Sequence, residues 1–133
     1  MTRLESDKVT LNKSSEEIYN FLSDFNNFGH LMPEQIADWK STADECSFTI
    51  KGMASLGMKM TEKTPNSFIK IIRDGKAPFD FIMNVHIEEV QPQQCTVQLV
   101  FDAELSTMMK MMASKPLTNF LNLLLNRLKE VKG

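Results

Sequence analysis

No stretch of this sequence stays purely apolar for more than a few residues, whereas a bilayer-spanning helix needs about 20. Integral membrane association is not expected. Charge of one sign is lacking too: 15 Lys and Arg stand against 17 Asp and Glu, for a formal net charge of -2. There is no broad basic field to hold a phosphate backbone, which argues against a nucleic-acid partner. With five glycines, the chain has no phosphate-cradling or dinucleotide-binding loop, and it has no GxSxG elbow. Two histidines, His30 and His86, and two cysteines, Cys46 and Cys95, are spread without short ligand spacing, so neither a metal nor another cofactor is expected. The opening MTRLESDKVTL mixes charge with alternation and offers no apolar signal core. Together with two cysteines that read as small core residues of a reduced compartment, this suggests a cytoplasmic monomer or small homo-oligomer.

What is abundant is methionine, ten in 133 residues. A chain of this length suits one domain, residues 1–133, in which folding buries roughly two thirds of the extended chain's surface. RLESDKVTL reads as one short strand. SSEEIYNFLSD reads as a short amphipathic helix, with Ser14 as N-cap, Glu17 completing a capping box, and Ile18, Phe21 and Leu22 on one face. DFNNFGHLMP supplies a second brief helical turn capped by Asp24.

From Gln35 the period becomes two, the mark of half-buried antiparallel strands. Cys46, Phe48 and Ile50 share a face, as do Leu56, Met58 and Met60. In FDFIMNVHIEEVQPQQCTVQLVFDAEL, residues Phe79, Phe81, Met83, Val85 and Ile87 alternate inward, and Cys95, Val97, Leu99, Phe101 and Ala103 answer them across a turn holding Pro92. PLTNFLNLLLNRLKEVK then switches to helical spacing, with Leu117, Phe120, Leu121, Leu124, Leu128 and Val131 in one stripe.

The order of these elements, from VTLNKSSEEIYNFLSDFNNFGHLMP to the terminal PLTNFLNLLLNRLKE, resembles the START-like (SRPBCC) superfamily, which includes polyketide cyclase/aromatase and birch-pollen-allergen relatives. The resemblance implies an α+β helix-grip fold: a strongly curved antiparallel sheet of about six or seven strands around a long C-terminal helix, with two short helices after the first strand. It also implies an apolar cavity between sheet and helix. Members bind lipids, hormones or polyketides, and some catalyse cyclisation or dehydration. No universal catalytic residue carries over, so catalytic residues are unassigned.

Combined with the methionines, the resemblance suggests binding of a small hydrophobic ligand, lipid-like or aromatic. Unbranched thioethers adapt to irregular spaces and pack well on rings, whether they line a deformable pocket or fill a core imperfectly matched between sheet and helix. The candidate walls are Met58, Met60, Phe79, Phe81, Met83, Leu99, Phe101, Met108 and Met112. Tyr19 and Trp39 couple an apolar body to a polar tip, and Arg73 is suited to a ligand carboxylate. An alternative is a cyclase- or dehydratase-like enzyme using His30, Asp74, Asp80 or Tyr19 for proton transfer. Another is a noncatalytic interaction module that presents STMMKMMA as a contact.

That segment raises its own question, because its four methionines do not share one stripe with Leu117 on a continuous helix. An interior proline also breaks a helix. Ser114 and Pro116 are therefore expected to start a fresh helix, with MMKMM as a separate joint at one end of the cavity.

Overall fold

A computed structural model describes residues 1–75 and 77–131. In chain order the elements are β1 (Thr2–Glu5), β2 (Val9–Leu11), α1 (Ser15–Leu22), α2 (Phe25–Phe28), a 3-10 turn (Gly29–Leu31), β3 (Ile36–Ser41), β4 (Glu45–Ile50), β5 (Ala54–Thr64), β6 (Phe68–Arg73), β7 (Phe81–Gln91), β8 (Gln94–Ala103) and α3 (Thr107–Glu130). The strands form one antiparallel sheet in the order β1-β8-β7-β6-β5-β4-β3, with β2 also on β8. One face of this sheet carries α3, and the core lies between them.

Three features of the expected architecture are corrected. The sheet has eight strands rather than six or seven, and the short helices follow the second strand rather than the first. Both differences arise at Ser6, where the stretch read as one strand splits. Ser6 donates its amide to the Leu99 carbonyl and accepts the Leu99 amide on its hydroxyl, each at 2.9 Å. The side chain thus replaces a backbone partner, and the chain resumes pairing with β8 only at Val9.

The third correction concerns curvature: the sheet is open, its outer strands do not pair with each other, and it is not strongly curled. Sharp bending of strands depends on bulges. The β7–β8 ladder instead runs uninterrupted from Phe81↔Ala103 to Glu89↔Cys95. Register shifts fall within β3–β4, between Ala37 and Lys40, within β5–β6, between Met60 and Glu62, and beside the β7–β8 turn, between Glu89 and Gln91.

The short helices plug one end of the core. Ser14 accepts the Glu17 amide at 3.1 Å, which realises the Ser14 half of the capping box and starts α1. Asp24 accepts the Asn26 amide at 2.8 Å and starts α2, which buries Phe25 and Phe28. Gly29 is where the chain needs to lack a side chain, because a Cβ there would lie 2.8 Å from Trp39 Nε1. Gly57 is a second such place: a Cβ would stand 2.0 Å from the Asp74 carbonyl oxygen, where β5 and β6 begin to pair.

The terminal helix also departs from expectation. It is continuous over 24 residues from Thr107, so MMKMM lies inside it and Pro116 is internal. Ser106, not Ser114, is the cap and accepts the Met109 amide at 3.2 Å. The bond that Pro116 cannot donate would have gone to the Met112 carbonyl. Both residues are exposed, so water can serve that carbonyl and the helix survives its proline.

Candidate functional site: an apolar cavity under the terminal helix

Between the sheet and α3 lies a cavity of about 40 Å³ with fourteen lining residues, none of which has a polar side chain. Strand alternation puts Phe48 on β4, Met58 on β5, Phe81 and Met83 on β7 and Phe101 on β8 on the same inner face. Phe79 joins them from the approach to β7. Its ring centroid lies 6.1 Å from Phe81 and 6.3 Å from Phe101, both edge-on, while Phe81 and Phe101 stack at 5.1 Å. Such offset and edge-on arrangements suit the ring quadrupole and leave gaps that a branched aliphatic would fill. Leu117, Phe120, Leu121 and Leu124 cover the cavity from α3, and Phe28 and Met32 close its end.

The cavity is small. Its volume would take a few waters, whereas a pocket holding a drug-sized molecule has about 300 Å³ or more. It does not stand alone, however. Ile50, Leu117 and Phe120 also line an open groove of about 410 Å³ between the β4–β5 turn and α3. Gln35, Lys51 and Leu123 in turn connect that groove to an open depression of about 450 Å³ bordered by Glu34 and Arg127. Phe120, half-buried, stands between cavity and groove.

The structure brings together Met58, Phe79, Phe81, Met83 and Phe101 from the sequence candidates. Met60 and Leu99 are buried but do not line the cavity; Leu99 lies opposite Val85 in the solid part of the core. Met108 and Met112 are 71% and 72% exposed on the outer side of α3, so they cannot be walls. Tyr19 is half-buried on α1. Trp39 stacks on Phe48 from outside the cavity at 5.5 Å and donates its Nε1 proton to Ser41 Oγ at 3.2 Å. Arg73 is exposed and already occupied, with its Nε at 2.6 Å from Asp80 and an Nη at 2.6 Å from the Gly75 carbonyl.

Phe28, Met32, Phe48, Ile50, Leu56, Leu117, Phe120, Leu121 and Leu124 were not candidates, yet all face the cavity. Their periodicity shows that they are core. It carries no sign of which part of the core is incompletely filled.

Proton-transfer groups are not at hand. His30 and Asp80 are exposed, and neither they, Tyr19 nor Asp74 lines the cavity. The two cysteines are free and buried. Burial pushes the Cys46 thiol up to about 12 and the Cys95 thiol above its usual value, with Glu17 adding to the latter. Neither supplies a thiolate nucleophile near neutral pH. Among the described residues no cluster of three or more His, Cys, Asp or Glu could hold a metal ion, and no helix is long and apolar enough to cross a membrane.

An antiparallel sheet with two short helices after its opening strands, a long C-terminal helix laid across one face and an apolar cavity between them define the START-like architecture, and this chain has it. Among solved structures it is similar to a START superfamily protein from Mycobacterium smegmatis, at 17% identity and a TM-score of 0.73 over 96% of this chain and 94% of that one. The protein XoxI from Bacillus cereus aligns at 12% identity and a TM-score of 0.79 over 98% and 94%. Norcoclaurine synthase from Thalictrum flavum aligns at 10% and 0.75 over 97% and 84%. At such identities the likeness is one of fold. No protein-family model matches the sequence, and no curated protein matches it either.

Proposed function

We propose that the protein binds a small hydrophobic ligand, lipid-like or aromatic, in the cavity between the sheet and α3. The observation that carries this reading is the lining itself: six phenylalanines, three methionines, four leucines and one isoleucine, with no polar side chain, continuous with an open groove. Binding is driven by apolar burial, worth about 25 cal/mol per Å² before ordering costs. Room is made by rotation of Met58, Met83 and Phe120, since thioethers change rotamer at little cost. The START-like neighbour supports the reading at the level of fold. Norcoclaurine synthase is by its name an enzyme, but the groups suited to proton transfer in this chain stand away from the cavity. That favours binding over cyclase- or dehydratase-like catalysis.

Native mass spectrometry of protein purified gently from its own cells tests this. The expected spectrum contains added mass that an organic solvent strips off and a small apolar aromatic replaces. Consistent failure to carry or accept any apolar compound would sink the proposal.

A second reading has one observation in its favour: Met108, Met111 and Met112 are 71%, 82% and 72% exposed along the start of α3. Large exposed apolar side chains in a row suit contact with another surface, here a second copy of the chain. Light scattering should then show a dimer that Met111→Ser dissolves, and a monomer at all concentrations removes this reading.

A further inference from the structure

The mouth of the cavity is chemically lopsided. The groove beside Phe120 runs along α3 toward Leu123 and then into the depression that Lys51 and Arg127 share. Leu123 and Arg127 are four residues apart on α3 and so lie on one helical face. Lys51 is fixed beside them from the sheet, since its amide donates to the Gln35 carbonyl at 2.8 Å and Ile36 pairs with Ile50 in the neighbouring strand. Two cations separated by 76 positions in sequence thus face one depression at the end of an apolar path.

Neither cation has a charged side-chain partner among the described residues. The Arg127 Nε is buried without a hydrogen-bond partner. A buried donor without a partner costs free energy, and the arginine that carries it lines the depression. Among the described residues Glu34 is the one acidic residue that lines the depression, so the charges of its lining sum to one positive charge in a chain whose net charge is negative.

We propose that Lys51 and Arg127 form the head-group end of the ligand site, and that the ligand is a monoanionic amphiphile: a carboxylate held at the depression, with an apolar body entering past Phe120 into the cavity. The inference rests on the proposed function, because it assigns a chemical class to the occupant of the same cavity. Arginine suits this role, since its planar fork pairs with both carboxylate oxygens. Lys51 adds a point charge from the opposite wall. A single negative charge matches the surplus left by Glu34, whereas an uncharged ligand of the same shape leaves that surplus unbalanced.

Octanoic acid and octanol, matched in length and differing in the head group, are the probes, titrated calorimetrically near pH 7, where the acid is ionised. The acid should bind about tenfold or more tightly than the alcohol, the gain expected of a charge-assisted pair. In the double variant Lys51→Gln, Arg127→Gln the ratio of the two affinities should fall to about one, and a wild-type circular dichroism spectrum and melting curve show that the variant is folded. Arg127→Lys should restore part of the preference. If octanol binds and the acid binds no better, or if the preference survives the double variant, the head-group assignment is overturned and the cavity reading stands. If neither compound binds the wild type, both fall together.

Discussion

The β7–β8 hairpin contains two kinds of core in one ladder. At one end the inward residues are Phe81 and Met83 against Ala103 and Phe101; a few residues further they are Val85 and Ile87 against Leu99 and Val97. Pairing is continuous across the change, so backbone geometry does not distinguish the two ends. The side chains do. Val85, Val97, Cys95 and Ile69 are completely buried, and the branched aliphatics among them, stiff at their first torsion, fill space densely. The rings and thioethers at the other end leave the cavity. The lesson is that the space is set by side-chain choice on a regular sheet, and that the material around it is the softest available.

Truncation at the solid end has the largest expected effect. Ile69→Ala should lower stability by about 2–5 kcal/mol in urea denaturation, because packed neighbours cannot collapse into the void. A loss near zero would mean that the two ends are equally loose. At the soft end, Met58→Leu or Met83→Leu should each cost less than about 1.5 kcal/mol. Each should nevertheless weaken binding of an apolar ligand by about tenfold, near 1.4 kcal/mol, because a branched chain cannot move aside as a thioether does. Stability losses as large as that of Ile69→Ala, or unchanged binding, would erase the distinction.

The thiols report the same division on a finer scale. Cys46 pairs with Met58 at the soft end, while Cys95 is fully enclosed at the solid end. Both should be silent to a thiol reagent at neutral pH, as their raised pKa values require. At urea concentrations below the transition Cys46 should react first and Cys95 only with global unfolding; simultaneous labelling would show one cooperative core.

The smallest effect belongs to the Arg3–Asp102 pair, which ties β1 to β8 at 2.8 Å. The Arg3 hydrogen bond, and to a lesser degree its charge, holds the Asp102 carboxyl below its usual value against the opposing pull of burial. A depressed folded value stabilises above the unfolded one, near 3.9, and that contribution is lost as pH falls through the folded value. Arg3→Gln should therefore lose less stability than the parent between about pH 5 and pH 2. Parallel acid limbs would show that the pair contributes nothing.

Much of the fold was legible in the sequence because alternation and helical spacing are direct records of burial. The inner row of β7 and β8, the turn at Pro92, and Leu117, Leu121, Leu124 and Leu128 on α3 all follow from period. The split at Ser6 was not legible, since a serine hydroxyl standing in for a backbone partner leaves alternation intact. The start of α3 was misread because Pro116 is weighed as a helix breaker; its tolerance depends on the exposure of Met112 and Pro116, a fact of packing. For the same reason Met108 and Met112 were grouped with the walls although their helix turns them outward. Five wall residues could be picked from alternating strands, whereas the α3 contribution and the Lys51–Arg127 pairing depend on how helix and sheet meet.

The most direct test of the central claim is a methyl NMR titration with the methionine ε-carbons labelled and a small apolar aromatic as ligand. Met58 and Met83 should show saturable shifts, with Met108, Met111 and Met112 unmoved. Saturable shifts confined to the three exposed methionines, or none at all up to the ligand's solubility limit, would contradict it.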